Sequence, residues 1–290
     1  MKNKILKMGI QRRVITSILI VSILPLMAGL YLTYRDGTTT RRNSIGTSFQ
    51  EMAKETAYKI DMIIKKEVDD VQRLAISPDV REAVFHTSQN NKELDNYLGQ
   101  LVNYNEKEIY SLTIVDAEGM YVTGVGTTTK RNYNNEKWYK EAFNAGNGNV
   151  YVGNLEFNKI SEVYLISIAA PVMDNLKAMG VVVIKYNIDN LLEVITNVRI
   201  EKTGHANLVD SSGTILMCPI FPPRSHQVNP GLVNIIKSTE PGWGVAKDDA
   251  HGGENSIIGY APVKSTLDTL SGWFDGHTWH IFIRQDPDET

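Results

Sequence analysis

Leu112-Thr-Ile-Val-Asp-Ala-Glu-Gly119 and Ala206-Asn-Leu-Val-Asp-Ser-Ser-Gly213 are two versions of one pattern. Each is an apolar strand run that closes on a Val-Asp-x-x-Gly turn and continues into a second strand. Each is followed downstream by Ala-Pro-Val, at Ala170–Val172 and Ala261–Val263, and then by a further apolar strand. The similar order and spacing predict two copies of one α/β module in tandem. Asp116 and Asp210 recur at the same place in both copies, so turn-forming bonds to the backbone explain them better than chemistry does.

Outward from the repeat, strands are expected at Ser111–Asp116, Met120–Val125, Val150–Leu155, Val163–Pro171 and Gly180–Tyr186. Short helices are expected at Asp79–Phe85, Lys92–Tyr104 and Lys137–Asn144. Ile188–Val198 reads as an amphipathic helix leading into the second copy. Its strands fall near Ala206–Asp210, Thr214–Cys218, Glu254–Pro262 and Thr278–Gln285. Pro219–Asp249 reads as an insertion rich in Pro and His, with one helix near Gly231–Ser238.

Upstream, Val14 to Tyr34 is an uncharged apolar run interrupted only by Thr, Ser and Pro25. About 20 apolar residues span a hydrocarbon core. Lys2, Lys4, Lys7, Arg12 and Arg13 precede it, which favours a cytoplasmic N-terminus, although Arg35, Arg41 and Arg42 follow. The run exceeds the apolar region of a signal peptide, and Leu26-Met-Ala28 is a poor cleavage site, so an uncleaved anchor is expected. From Arg42 to Phe85 apolar residues recur at helical steps, among them Phe49, Ala53, Ile60, Ile64, Val68 and Val71. This helix should end near Ser77-Pro78, because the residue before proline resists the α region. Two readings of its apolar stripe stand: a helix packed on its own modules, or the seam of a dimeric stalk.

The 290 residues suit two modest domains, and 42% apolar with 22% charged residues is ordinary for a globular protein. The net charge of −3 argues against a nucleic-acid surface. Cys218 is the single cysteine, so no intrachain disulfide can form.

The order of these features resembles the double Cache sensor domains of bacterial transmembrane receptors. The residues that carry the resemblance are the anchor and long first helix, Val115-Asp-Ala-Glu-Gly119, Tyr133 with Trp138-Tyr139, Tyr151-Val, Ala170-Pro-Val, and Gly180-Val-Val-Val-Ile with Ile188-Asp-Asn-Leu191 after it. It spans roughly residues 14–290. The resemblance implies an α+β architecture: residues 1–13 cytoplasmic, a transmembrane helix over 14–34, a stalk helix over 35–78, a membrane-distal PAS-like module over 79–187 and a membrane-proximal one over 188–290, both with antiparallel sheets. It implies a small-molecule ligand in the distal module, a homodimer in the inner (cytoplasmic) membrane, the bulk of the chain outside the cytoplasm, and no catalysis in this chain. Histidine kinases, chemoreceptors and cyclic-dinucleotide enzymes are the usual outputs. The chain stops at Thr290 just after the final strand, where a second membrane helix is expected, so it reads as the sensor part of a longer protein or a truncated gene.

The half of the first module that the family uses as its pocket holds Tyr133, Trp138, Tyr139, Tyr151 and Tyr164. Aromatic rings make rigid walls, and tyrosines add a hydrogen-bonding tip. Trp138 and Tyr139 serve equally as plugs of the sheet. Family members that bind amino acids resemble one another in an Arg two residues before the Trp and an Asp after the Gly-Val-Val strand. The aligned positions here are Glu136 and Lys185, with both charges reversed, so an ordinary α-amino-acid receptor is not expected. Lys185 suits an anion, with Lys130 and Arg131 as helpers, and Glu136 suits a pairing with Lys185 or a cationic part of the ligand. A small organic anion is the expected ligand class. Lys185 at a solvated strand edge and Glu136 on a surface helix are the alternative.

In the second module His205, Cys218, His226 and His251 are good metal-ligand types, but no tight pair such as C-x-x-C occurs. No metal and no cofactor is expected. Asp248-Asp-Ala-His-Gly-Gly-Glu254, with Ser256 nearby, has the composition of an acid–base loop and equally of a solvated turn. Two rival functions follow: a tethered protein-interaction module without a small ligand, and a periplasmic hydrolase built on His251.

Overall fold

The computed structural model describes residues 10–86, 92–105, 108–126, 131–159, 161–247, 255–267, 274–286 and 289, with side chains from Val14 onward. Two compact units divide the chain, Met1–Gly46 and Thr47–Thr290. Lys130 and the loop from Asp248 to Glu254, with His251, lie outside the described residues, as do Lys2, Lys4 and Lys7 and the side chains of Arg12 and Arg13.

From Ile10 onward the first unit is helical. Helix α1 spans Ile10–Ala75 and carries the apolar run Val14 to Tyr34 in this unit. Val21, Leu24, Leu26 and Tyr34 are all exposed there. The helix is long and apolar enough to cross a membrane, and its apolar window is not buried in the protein.

In the second unit the same helix is amphipathic. Phe49, Ala53, Ala57, Ile60, Ile64, Val68, Val71 and Ala75 are buried, one stripe at steps of three and four. The stripe packs on the chain's own modules. A Cβ built on Gly259 of the second module would lie 2.1 Å from the backbone carbon of Phe49, so only glycine lets the helix approach this closely. Further along, Asp61 accepts a hydrogen bond from the backbone N–H of Ser265 at 2.6 Å, and Ile64 shares a crevice with Ile168 and Tyr186 of the first module. Of the two readings of the stripe, packing on its own modules is the one the structure shows.

The chain leaves α1 two residues before Ser77, whose Oγ accepts from Val80 N–H and caps helix α2, Pro78–Phe85, with Pro78 in the first turn. Helix α3 follows over Lys92–Tyr104. The first sheet holds β1 Ile109–Asp116, β2 Tyr121–Val125, β3 Tyr151–Val152, β4 Glu156–Asn158, β5 Val163–Asp174 and β6 Lys177–Asn187. Its order is β2-β1-β6-β5-β3, with β4 also on β5, and every pairing is antiparallel. Helix α4, Lys137–Phe143, covers one face and α1 the other.

Helix α5, Asp189–Thr196, leads to the second sheet: β7 Arg199–Ile200, β8 Gly204–Asp210, β9 Ile215–Met217, β10 Gly242–Ala246, β11 Ser256–Pro262 and β12 Trp279–Arg284. The order is β10-β11-β12-β8-β7, with β9 on β8. Helix α6, Pro230–Ile236, is capped by Asn229 and packs Leu232 and Ile236 on the sheet. Strand β10 lies where the sequence suggested an insertion. Its Gly-Trp-Gly-Val-Ala run lacks the alternating side chains that mark a strand.

The two copies match down to single bonds. Asp116 Oδ1 accepts from the N–H groups of Glu118 and Met120, and Asp210 Oδ1 from those of Ser212 and Thr214. Gly119 and Gly213 follow at positive φ, 76° and 92°. Their carbonyls then accept from Tyr133 N–H and Val228 N–H, which start the segments leading to α4 and α6. The helix on the covered face of each sheet is therefore the same element repeated.

Candidate functional site

The register of the first sheet defines a floor under α4. Antiparallel partners share a face, and alternate residues along a strand share it too. One row is Val115, Val181 and Pro171; the next is Thr113, Val183 and Ala169; the third is Ser111, Lys185 and Ser167. The first two rows are mostly apolar, and Val115, Val181, Val183 and Ala169 form one core cluster with Trp138, Tyr139 and Ala142 of α4 and Tyr151 of β3. The third row is polar. Lys185 stands half-buried between two buried serines and makes no ion pair with a described residue.

Aromatic rings close the apolar end. Tyr133 lies 5.6 Å from Trp138 between centroids, Trp138 meets Tyr139 edge-on at 6.2 Å, and Tyr139 stacks on Phe143 at 5.4 Å. The Tyr139 hydroxyl donates to the carbonyl of Ala117 at 2.7 Å, inside the Val-Asp-Ala-Glu-Gly turn. Burial, helped by the charges of Asp116 and Glu118, pushes this phenol up to about 12, so it stays a donor. Glu136 is the half-buried N-cap residue of α4, without a side-chain capping bond.

Tyr151 and Tyr164 connect to the second module. Tyr151 Oη donates to Asp275 Oδ2 at 2.9 Å, and Lys137 Nζ lies 2.7 Å from Asp275 Oδ1. Burial, then the bond to Asp275, drives the Tyr151 phenol well above its ordinary range. The backbone joins in: Asp275 N–H donates to the carbonyl of Val152 at 2.7 Å, and Phe274 bridges Val152 in parallel. Tyr164 departs from the group to which the sequence assigned it. Alternation along β5 puts it on the other side from Ser167 and Ala169. Its ring packs on Phe157 at 4.8 Å, and its hydroxyl donates to the carbonyl of Pro223 at 2.8 Å. Arg224 next to it donates to the carbonyl of Leu155 at 3.1 Å.

The structure thus brings Tyr133, Trp138, Tyr139 and Tyr151 together over one floor, places Lys185 on that floor, and sets Tyr164 apart. Lys137 and Asp275 were not singled out from the sequence. Asp275 lies 124 residues from Tyr151, and no local pattern marks such a partner. Among the described residues no three His, Cys, Asp or Glu side chains converge as a metal site. Cys218 is buried in the second module's apolar core with Val209 and Ile215, and His226 stands edge-on to Phe221.

The Cache domain family model matches residues 37–290. The chain belongs to the Cache domain family. Solved structures of receptor domains share the fold at low identity. The ligand-binding domain of the Pseudomonas aeruginosa amino acid chemoreceptor PctC, in complex with GABA, is 18% identical, with 83% of this chain and 100% of that one covered at a TM-score of 0.61. The extracellular domain of a protein assigned as a histidine kinase gives 15% identity, 85% and 96% coverage and a TM-score of 0.66. The ligand-binding domain of the Pseudomonas fluorescens chemoreceptor CtaA, in complex with L-serine, gives 18%, 85% and 99%, and 0.58. No curated protein matches the sequence. A Cache domain with one apolar N-terminal helix fits a single-pass membrane protein.

Proposed function

We propose that this Cache chain senses a small organic anion outside the cytoplasm and signals across the inner membrane. The observation that carries the reading is Lys185: a cation at the polar end of an aromatic-walled floor, flanked by Ser111 and Ser167. Its ammonium offers a point charge to a carboxylate, and the two hydroxyls offer further donors. Tyr133, Trp138, Tyr139 and Tyr151 supply the apolar contact, and Glu136 suits a cationic part of the ligand. Two of the structures named above are complexes, one with GABA and one with L-serine. The Glu136 and Lys185 charges favour a ligand without the usual amino-acid polarity.

Signalling needs a ligand that binds one of two states better. Asp275 offers the link, because it holds Tyr151 of the site from the second module. The output domain of such a sensor would lie outside this chain, which supplies binding and relay and no catalysis. A homodimer would use the outward side of α1, where Tyr58 and Met62 are exposed beside a groove of about 690 Å³ lined by Met52, Pro241, Ala261 and Pro262.

The test is thermal unfolding of the full chain in detergent with carboxylates, phosphates, amines and amino acids. Stabilisation is about 2.7 kcal/mol at a hundredfold excess over the dissociation constant. Stabilisation by a carboxylate, lost in Lys185→Ala, is expected. An unchanged response in that variant refutes the assignment.

A further inference from the structure

The groove beside α1 has walls from two elements. Met52, Ala57 and Tyr58 of the helix form one side, and Pro241, Ala261 and Pro262 of the second module form the other. Its volume of about 690 Å³ lies within the range of about 300–1,000 Å³ common to small-molecule sites. The two walls are fixed against each other. Gly259, two residues before Ala261, lies against the backbone of Phe49 and Gln50. Further along the helix, buried Asp61 accepts from the backbone N–H of Ser265. The width of the groove is thus set by backbone contacts of α1 with the second module, not by mobile side-chain tips.

The carboxylates of the rim are matched on α1 itself. Glu51 lies 3.3 Å from Lys54, Glu55 2.8 Å from Lys59, and Asp61 2.7 Å from Lys65. Lys264 is the cation left over. It lines the groove, it is exposed, and its ammonium makes no ion pair with a described residue. Tyr58 is 61% exposed and makes no ring contact with a described residue. A cation and an aromatic ring therefore stand over one apolar trough, and the Lys185 floor accounts for neither.

We propose that this groove is a ligand site of its own, which takes an aromatic monocarboxylate. The Lys264 ammonium meets the carboxylate as a point charge. The ligand ring packs on the Tyr58 ring and the Met52 thioether, both good partners for aromatic groups. Pro241 and Pro262 add rigid apolar surface with no N–H left to satisfy. One negative charge is selected over two, because Glu51 and Glu55 on the same rim repel a second. A ring bound here touches α1 and the second module together, so occupancy braces the helix on that module. The site is separate from the Lys185 floor and stands or falls independently of it.

The experiment uses 2-naphthoate as a fluorescent probe on the full chain in lipid nanodiscs, with anisotropy as readout and empty nanodiscs as blank. Saturable binding is expected. In Lys264→Gln the dissociation constant is expected to rise about tenfold or more, the factor carried by one hydrogen bond to a charged group. Neutral 2-naphthylmethanol is expected to compete more weakly than 2-naphthoate by a similar factor. Tyr58→Ala is expected to weaken binding severalfold, and Lys185→Ala to leave it unchanged. Lys264 and Tyr58 are exposed, so both variants are expected to fold. The proposal is overturned if binding does not saturate, if it survives unchanged in Lys264→Gln, or if the neutral alcohol competes equally well. Loss of binding in Lys185→Ala also overturns it, because the probe then sits on the first floor. A dimer that Tyr58→Ala dissociates, in a chain that binds no probe, gives the groove to a second copy instead.

Discussion

Tyr151 and Asp275 sit 2.9 Å apart, hydroxyl to carboxylate, although one belongs to the first module and the other to the second. The bond is partly buried, so it should count. A double-mutant cycle of Tyr151→Phe and Asp275→Asn, read by urea unfolding, is expected to give a coupling of about 1–2 kcal/mol. Lys137→Ala should cost under about 1 kcal/mol, since its side chain is 63% exposed and water screens its pairing with Asp275.

Gly259 marks the tightest approach of α1 to the second sheet. Gly259→Ala must move helix backbone, not a flexible side-chain tip. A loss of about 1–3 kcal/mol is expected, as for overpacked cores. Gly99, around which nothing lies within 4 Å, is the control, and Gly99→Ala should be neutral or slightly stabilising. Paired melting curves of the two variants test this.

The twin turns should be unequal in energy. Asp210 is buried, and its Oδ1 takes two N–H groups and the Ser212 hydroxyl; Asp116 is half-exposed and takes two N–H groups. Asp210→Ala is expected to cost about 2–3 kcal/mol and Asp116→Ala about 1 kcal/mol. Chemical denaturation of each variant measures the difference.

His280 adds a pH term. Burial holds its pKa below 6.5, and the carbonyls of Ser238 and Thr278 and the charge of Asp210 offset this only in part. A depressed folded pKa means the unfolded chain takes the proton first. The contribution of His280 is therefore fully present above pH 6.5 and is lost as pH falls through the folded value. His280→Leu should flatten this part of the stability–pH curve. Glu67 has the opposite sign: burial raises its pKa, so its contribution is present below 4.5 and fades as pH rises through the folded value.

The repeat at Asp116 and Asp210 was legible because a turn is a local structure, written in five consecutive residues. The buried stripe of α1 was legible as a helix, but its partner was not: the same 3-and-4 spacing serves a coiled-coil seam and a helix packed on sheets. Aromatics over the first floor could be found because they lie close along the chain, from Tyr133 to Tyr151. Tyr164 was misplaced by the same nearness, since one residue of strand phase turns a side chain to the other face. Lys137 with Asp275 depends on a contact between segments far apart in the chain.

Strand β3 is the edge of the first sheet and only two residues long. Its outward carbonyl at Val152 is taken by Asp275, and Phe274 lies beside it as a single parallel rung. An unpaired edge is a template for strands of other molecules. The second module thus acts as a chaperone in cis for the first: any damage that detaches residues 274–276 bares a sticky edge, and loss of solubility should precede loss of the first sheet itself.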